Sequence, residues 1–471
     1  MRLLAIASVA TLASLAPASG GCRVFTKTED CSTDSDCNPD QRCHPEGRYC
    51  ERLTEIRVGV IVARTGLLKP VAENFVIAAQ LGADVVNDAG GVLGAKIVLD
   101  ILDDEDDANL SEAHAKTLVA KNVAGIIGPM RSSQVLRAQA VTYPARMLEL
   151  SPLGGADALA TSQPSKDRYL FQTITSIRRG SSAAVVRYVS KPVDDPPRPE
   201  PACTKMAVLH TDDVTGNEYG KAIAALIAKQ GGCVTLDVSF PPVSETPEQV
   251  RPHVEKLIAA KPECAALVTV GKAGAAILRE FKEQAAKDTS KDWSKFTFYG
   301  TTTLHNAGFL EAARDVAEGF MGADVDPAPQ TAEFDEYRAI FRERRGGEPP
   351  PLTANVFDAV VLLALSISRA GSAHDRVAIR DAIYEVSRTG ERVAAFGPGD
   401  VAAALKAARR GVRINYQGAS GPVDVDDTGV VDEPTIIWSV KGGKFVEPVV
   451  RYTDAQMHAI DDPLKTGRSC P

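Results

Sequence analysis

The feature that most restricts this chain is a repeated alternation of near-continuous apolar runs with segments of helical period. Ile56-Arg57-Val58-Gly59-Val60-Ile61-Val62 reads as a strand, followed by a Thr65-Gly66 turn and a helix-period segment over 72–87. Gly90-Gly91 stops that helix, and 96–102 reads as a second strand. Apolar runs recur at 123–128, 205–209, 233–236, 265–270 and 296–299. Strands that are apolar along their whole length must be covered on both faces, so parallel sheets are expected, with enough units for two of them. The 44% hydrophobic and 24% charged content of the 471 residues suits such a packed body. A net charge of −8 and the lack of a basic stripe remove the main source of nucleic-acid affinity.

The N-terminus has the pattern of a secretory signal: Arg2, an apolar run from Leu3 to about Ala16, then small residues. The run is shorter than the roughly 20 residues needed to span a bilayer. Ser19-Gly20-Gly21-Cys22 resembles a bacterial lipobox, with Ser19 where an aliphatic residue is usual, and Ala16-Pro17-Ala18 offers an ordinary cleavage site instead. Nine cysteines are awkward for an oxidising compartment; assigning Cys22 to a lipid leaves eight, enough for four disulfides. Cys31, Cys37, Cys43 and Cys50 lie in a polar, turn-rich stretch that cannot fold by burial, so two disulfides are expected there, preferably interleaved as Cys31–Cys43 and Cys37–Cys50. Spacings of five and six lack the C-x2-C knuckle of a zinc site. Cys203 is expected to bridge to Cys233 or Cys264, leaving the other for Cys470.

The segments IRVGVIVARTG, GADVVNDAGGVLGAKIVLDILDDEDD, VAGIIGPMRSSQVLRAQAVTYPARMLELSP, YLFQTITS, DDVTGNEYGKA, FDAVVLLALSISRAG and YQGASGPVDVDDTG occur in this order. Together they resemble the extracytoplasmic branched-chain amino-acid binding proteins, which have the type I periplasmic-binding fold of receptor ligand-binding domains. The resemblance runs from about residue 54 to 455. It implies an α/β architecture of two doubly wound parallel-sheet lobes joined by three crossovers near 175, 325 and 413, after a small disulfide-rich module. The expected division is 1–21 for the signal and 22–53 for the anchor cysteine and module. The first lobe takes 54–175 and 325–413, the second 176–324 and 414–458, and 459–471 forms a tail. The implied function is capture of a small polar, carboxylate-bearing ligand in the interlobe cleft for an ABC permease. The alternative is a sensor that signals closure to an envelope partner.

Gly128-Pro129-Met130-Arg131-Ser132-Ser133 follows an apolar strand and opens a helix, so unpaired N–H groups and the positive end of the helix dipole offer a carboxylate site. In the family, the serine matching Ser132 holds the ligand's carboxylate; the alternative for Ser132 or Ser133 is helix capping. Leu153, Gly154 and Gly155 match a loop that adds contacts, with glycine at the family's threonine position. Tyr219 matches a tyrosine that closes over the ligand. The family's acidic partner for an ammonium group would fall near Thr302, and with threonine there a free α-amino group is poorly held. Arg131 and Lys272 are cations that an acidic or aromatic carboxylate ligand would meet if they turn inward. The acidic run 103–107 lacks the glycine and distal glutamate of a calcium loop and reads as a solvated helix start.

No H-E-x-x-H, G-x-S-x-G or C-x-x-C occurs, and 216–222 has one residue too few between its glycines for a phosphate loop. The reading is therefore a binding protein rather than an enzyme, without cofactor or metal.

Overall fold

A computed structural model describes residues 31, 32, 36–38, 41–43, 49–65, 68–190, 203–458 and 460. The signal segment 1–21, Cys22, Gly66 and Cys470 lie outside the described residues. In the Cys-rich module, β1 (Gln41–Cys43) pairs antiparallel with β2 (Cys50–Arg52). Its disulfides are Cys31–Cys43 and Cys37–Cys50. With so few apolar side chains, these cross-links take the place of a core. The Cys31, Cys37 and Cys50 sulfurs lie within 4.8 Å of one another, but all three are oxidised and offer no thiolate to a metal.

The first lobe begins with β3 (Glu55–Val62), α1 (Lys69–Asp88), β4 (Lys96–Asp103), α2 (Ala108–Ala120), β5 (Ile126–Ile127), α3 (Ser132–Thr142), β6 (Glu149–Ser151), α4 (Asp157–Thr161) and β7 (Leu170–Gln172). The sheet order is β4-β3-β5-β6-β7 and every pairing is parallel. The second lobe runs through α5 (Ala183–Ser190), β8 (Lys205–Thr211), α6 (Val214–Lys229), β9 (Cys233–Phe240), α7 (Pro247–Ala260) and β10 (Cys264–Val268). It continues with α8 (Gly271–Lys287), β11 (Thr297–Gly300), α9 (Ala307–Ala312) and β12 (Met321–Val325). The chain then returns to the first lobe as α10 (Ala332–Arg345), α11 (Thr353–Ala370), α12 (Arg376–Ser387), β13 (Glu391–Ala394), α13 (Pro398–Arg409) and β14 (Ile414–Gln417). It finishes in the second as β15 (Thr435–Lys441), β16 (Lys444–Tyr452) and α14 (Asp454–His458). That sheet has the order β16-β15-β12-β11-β10-β8-β9, parallel except for the antiparallel edge formed by β15 and β16.

Helix α11 is long and apolar enough to cross a membrane, yet its side chains from Thr353 to Ser368 are buried within the first lobe, against α1, α12 and α13. At about 1.5–3 kcal/mol per large apolar side chain, that burial makes α11 the lobe's central support.

The third crossover falls later than the 413 expected. Strand β14 pairs with β13, and Ile414, Tyr416, Val423, Val425 and Val431 pack in the first-lobe core, so the chain reaches the second sheet only at Thr435. Fully buried Asp358 of α11 holds this segment back: its carboxylate accepts from Tyr416 Oη (2.8 Å) and from the Ala419 and Ser420 N–H groups (both 2.8 Å). Where crossovers meet, buried Glu433 accepts from Thr175 N–H (2.7 Å) and Asn355 Nδ2 (2.5 Å), and Asn355 Nδ2 also donates to Thr173 O (2.9 Å). In the second lobe, Cys203–Cys264 ties the starts of the paired strands β8 and β10, and Cys233 is disulfide-bonded as well.

Candidate functional site

A cavity of about 530 Å³ opens where the carboxyl ends of the two parallel sheets face each other. Its walls come from the turns after β3, β5, β6, β7, β8, β10 and β11 and from the end of β12. Side chains there are placed by strand ends that point outward beyond the sheets, the general ligand position in open α/β folds.

The turn after β5 needs glycine at Gly128. Its φ is 91°, and a Cβ there would stand 2.3 Å from Ile61 O. Helix α3 then starts at Ser132 with Arg131 as N-cap and no side-chain cap bond, so the first-turn N–H groups have no intrahelical acceptor. Ser132 is buried and lines the cavity. Its Oγ accepts from Ala156 N–H (3.1 Å), which leaves its own proton to donate.

Across the cavity lies Tyr219 of α6, also buried, with its hydroxyl 2.7 Å from Ser181 Oγ; Thr302 Oγ1 donates to the same serine at 3.4 Å. Burial pushes the Tyr219 phenol above its ordinary range, so it stays a neutral donor or acceptor. Beside it, Asp324 of β12 accepts from His305 Nδ1 (2.8 Å) and from Val325 N–H (2.7 Å). The His305 ring stacks on Trp438, interplanar angle 7°.

Of the residues expected at the site, Arg131, Ser132, Leu153, Gly155, Tyr219 and Thr302 line the cavity. Gly155 lies close against the first crossover: a Cβ would stand 3.1 Å from Thr175 O, and its own carbonyl accepts from Ile177 N–H (2.6 Å). Ser133, Gly154 and Lys272 are not in the lining. Ser133 donates to Gln134 Oε1 (2.6 Å). Gly154 turns into the lobe, its carbonyl accepting from Gln172 Nε2 (3.1 Å). Lys272 corrects the expectation of an inward cation: its side chain is 72% exposed and pairs with Glu245 on the rim.

Arg131 is at the cleft, but its charge is already committed. It ion-pairs with Asp106 of its own lobe (3.2 Å) and with Asp213, the N-cap of α6 in the other lobe. The acidic run thus does two jobs: Asp107 caps α2, accepting from Asn109 N–H (2.6 Å), and Asp106 anchors Arg131.

Sequence reading missed Asp324, His305, Asp213 and the apolar wall of Leu68, Val71, Phe75 and Val356. An aspartate inside the apolar run of β12 was a signal for the first of these. Nothing local marked the wall, because its members are ordinary apolar residues at the starts of α1 and α11.

A family model described as Periplasmic binding protein matches residues 55–444. Leu/Ile/Val-binding protein homolog 3 of Brucella melitensis is 23% identical over 334 residues, 70% of this chain and 83% of the relative. BasB of Halobacterium salinarum, a substrate-binding protein of a chemotactic signal transduction system, is 25% identical over 363 residues, 76% of this chain and 80% of the relative. A solute-binding protein of an ABC transporter from Rhodopseudomonas palustris BisB5, solved with 3,4-dihydroxybenzoic acid, has a TM-score of 0.65 at 18% identity, over 85% of this chain and 97% of that one. The two sheets, the cleft between them and the match over 55–444 together make this chain a member of the periplasmic binding protein family, with the type I fold.

Proposed function

We propose that the protein is exported, is anchored to the membrane through Cys22, and captures a small carboxylate-bearing ligand between its lobes for delivery to an ABC permease. The observation that carries this reading is the open N-terminus of α3 with Ser132, facing Tyr219 and Thr302 across one cavity built by both lobes. First-turn N–H groups and the Ser132 hydroxyl suit an amino-acid-like or organic-acid carboxylate. Binding is mechanical work: a ligand touching both walls stabilises the closed form, which the partner reads. The role of the neighbour from Rhodopseudomonas palustris in an ABC transporter supports delivery.

BasB favours a second reading, in which closure reports ligand to a signalling partner and nothing is imported. Loss of radiolabelled uptake on deletion favours transport; retained uptake with loss of a chemotactic or envelope response favours sensing.

A thermal-shift screen of amino acids, short peptides, aliphatic acids and aromatic acids finds the ligand, since a binder raises Tm by mass action. For a carboxylate that stabilises the protein, Ser132→Ala is expected to weaken binding about 10- to 100-fold, the worth of a hydrogen bond to a charged group. Unchanged affinity in that variant would remove the α3 site. Cys22→Ser is expected to release the protein from the membrane fraction.

A further inference from the structure

We infer that the ligand is a monocarboxylic acid with a bulky apolar body and no ammonium group, its body seated in an apolar bay of the first lobe. The inference rests on the reading that Ser132 holds the carboxylate.

The bay is formed by Leu68, Val71 and Phe75 at the start of α1, Met130, Leu153 and Val356 of α11. It adjoins the carboxylate seat, because Phe75 Cζ lies 3.6 Å from where a Cβ on Gly128 would stand, at the turn that opens α3. Leu68, Val71 and Leu153 pack against the first-lobe core but are only partly buried, so apolar surface faces the cavity. Covering such surface is favourable, and an apolar ligand body covers it.

Size points the same way. The cavity's roughly 530 Å³ is present while the lobes already touch through Arg131 and Asp213, so it is not the volume of a gaping cleft. It falls within the roughly 300–1,000 Å³ range of sites for drug-sized ligands.

Charge limits the ligand's head groups. Among the described residues, the carboxylates of the lining are Asp213, bound to Arg131 and capping α6, and Asp324, bound to His305 and Val325 N–H. An ammonium group would have to share an oxygen with one of these fixed donors, and Thr302 and Thr303 offer it no charge. Arg131 is held between two aspartates, so a second ligand carboxylate would lack a cation.

The test is isothermal titration of the full-length protein with straight-chain monocarboxylates from acetate to octanoate, and with 3-phenylpropanoate against phenylalanine. Affinity is expected to rise about fourfold per added CH₂ until the bay is full. 3-Phenylpropanoate is expected to bind at least tenfold more tightly than phenylalanine. Val71→Phe, which fills the bay, is expected to reduce the advantage of octanoate over butanoate at least tenfold; the wild-type series stands by itself if that variant does not fold. Ser132-dependent binding with no dependence on chain length, or phenylalanine equal to 3-phenylpropanoate, overturns the inference and leaves the proposed function intact. Failure of every carboxylate to bind overturns both.

Discussion

Replacing Asp213 by asparagine removes an ion pair that crosses the cleft. The Arg131 and Asp213 side chains are 17% and 18% exposed, so the contact is neither a solvated surface pair nor a dry one. Unit charges about 4 Å apart attract by about 4 kcal/mol at an effective dielectric of about 20, before desolvation is subtracted. Exposed pairs give about 0.2–1 kcal/mol, and breaking a buried pair costs about 3–5 kcal/mol. Arg131 keeps Asp106 as a partner, so the net loss should be about 1–2 kcal/mol, a factor of roughly 5 to 30 in an equilibrium constant. Asparagine is as good an N-cap as aspartate, and its amide oxygen can still accept from Gly216 N–H, now 2.7 Å from Oδ1, so α6 is expected to keep its start. Opening the cleft would part Arg131 from Asp213, so the loss should appear as weaker ligand binding, with a smaller dependence on salt than in the parent. Isothermal titration with the strongest hit of the thermal-shift screen reads the affinity, and small-angle scattering reads the unliganded shape. Affinity within twofold of the parent would refute the reasoning. So would an unliganded Tm that falls as much as the liganded one, because the pair would then support a lobe rather than its closure.

Two further outcomes follow from buried groups away from the cleft. Glu149 of β6 is fully buried, accepts from Thr142 Oγ1 (2.6 Å) at one oxygen and has no partner among the described residues at the other; burial pushes its pKa up to about 8. The folded state then keeps a proton that the unfolded chain releases, so the stability this group contributes is complete below about pH 4.3 and is lost as pH rises to about 8. Glu149→Gln is expected to flatten that decline by up to about 1.4 kcal/mol per pH unit in urea unfolding between pH 5 and 8; equal slopes in both proteins would count against it. The Cys203–Cys264 bridge closes a separation of 61 residues, worth about 4 kcal/mol in the chain-entropy account. The Cys203→Ser, Cys264→Ser double variant should lose most of that in denaturant unfolding, and a loss under about 1 kcal/mol would contradict it.

Much of the site was legible because its parts are local. A strand ending at Ile127, a glycine that alone tolerates the turn, and a serine at the next helix start are neighbours in sequence, and helix-end chemistry needs nothing distant. The threonines at 301–303 were visible, as was the missing acid beside them. Asp324 of β12 and Asp213 at the start of α6 come into the cavity from different elements of the second lobe, and their partners stand 19 residues (His305) and 82 residues (Arg131) away in sequence. Lys272 and Arg131 looked alike as cations following apolar strands; one is solvated on the rim and the other is held by aspartates from both lobes.

The sequence by itself determined the layers: apolar runs of strand length between helices admit only parallel sheets covered on both faces, and a polar cysteine-rich stretch admits only cross-linking. Tertiary structure decided where the chain finally leaves the first lobe, which charges are already neutralised in the cleft, and how large and apolar the cavity is. Those depend on pairs such as Asp358 with Ser420 or Arg131 with Asp213, whose members lie 62 and 82 residues apart and meet only when distant elements pack. Periodicity reports which face of an element is buried, while the identity of what buries it is set by contacts between elements distant in the chain.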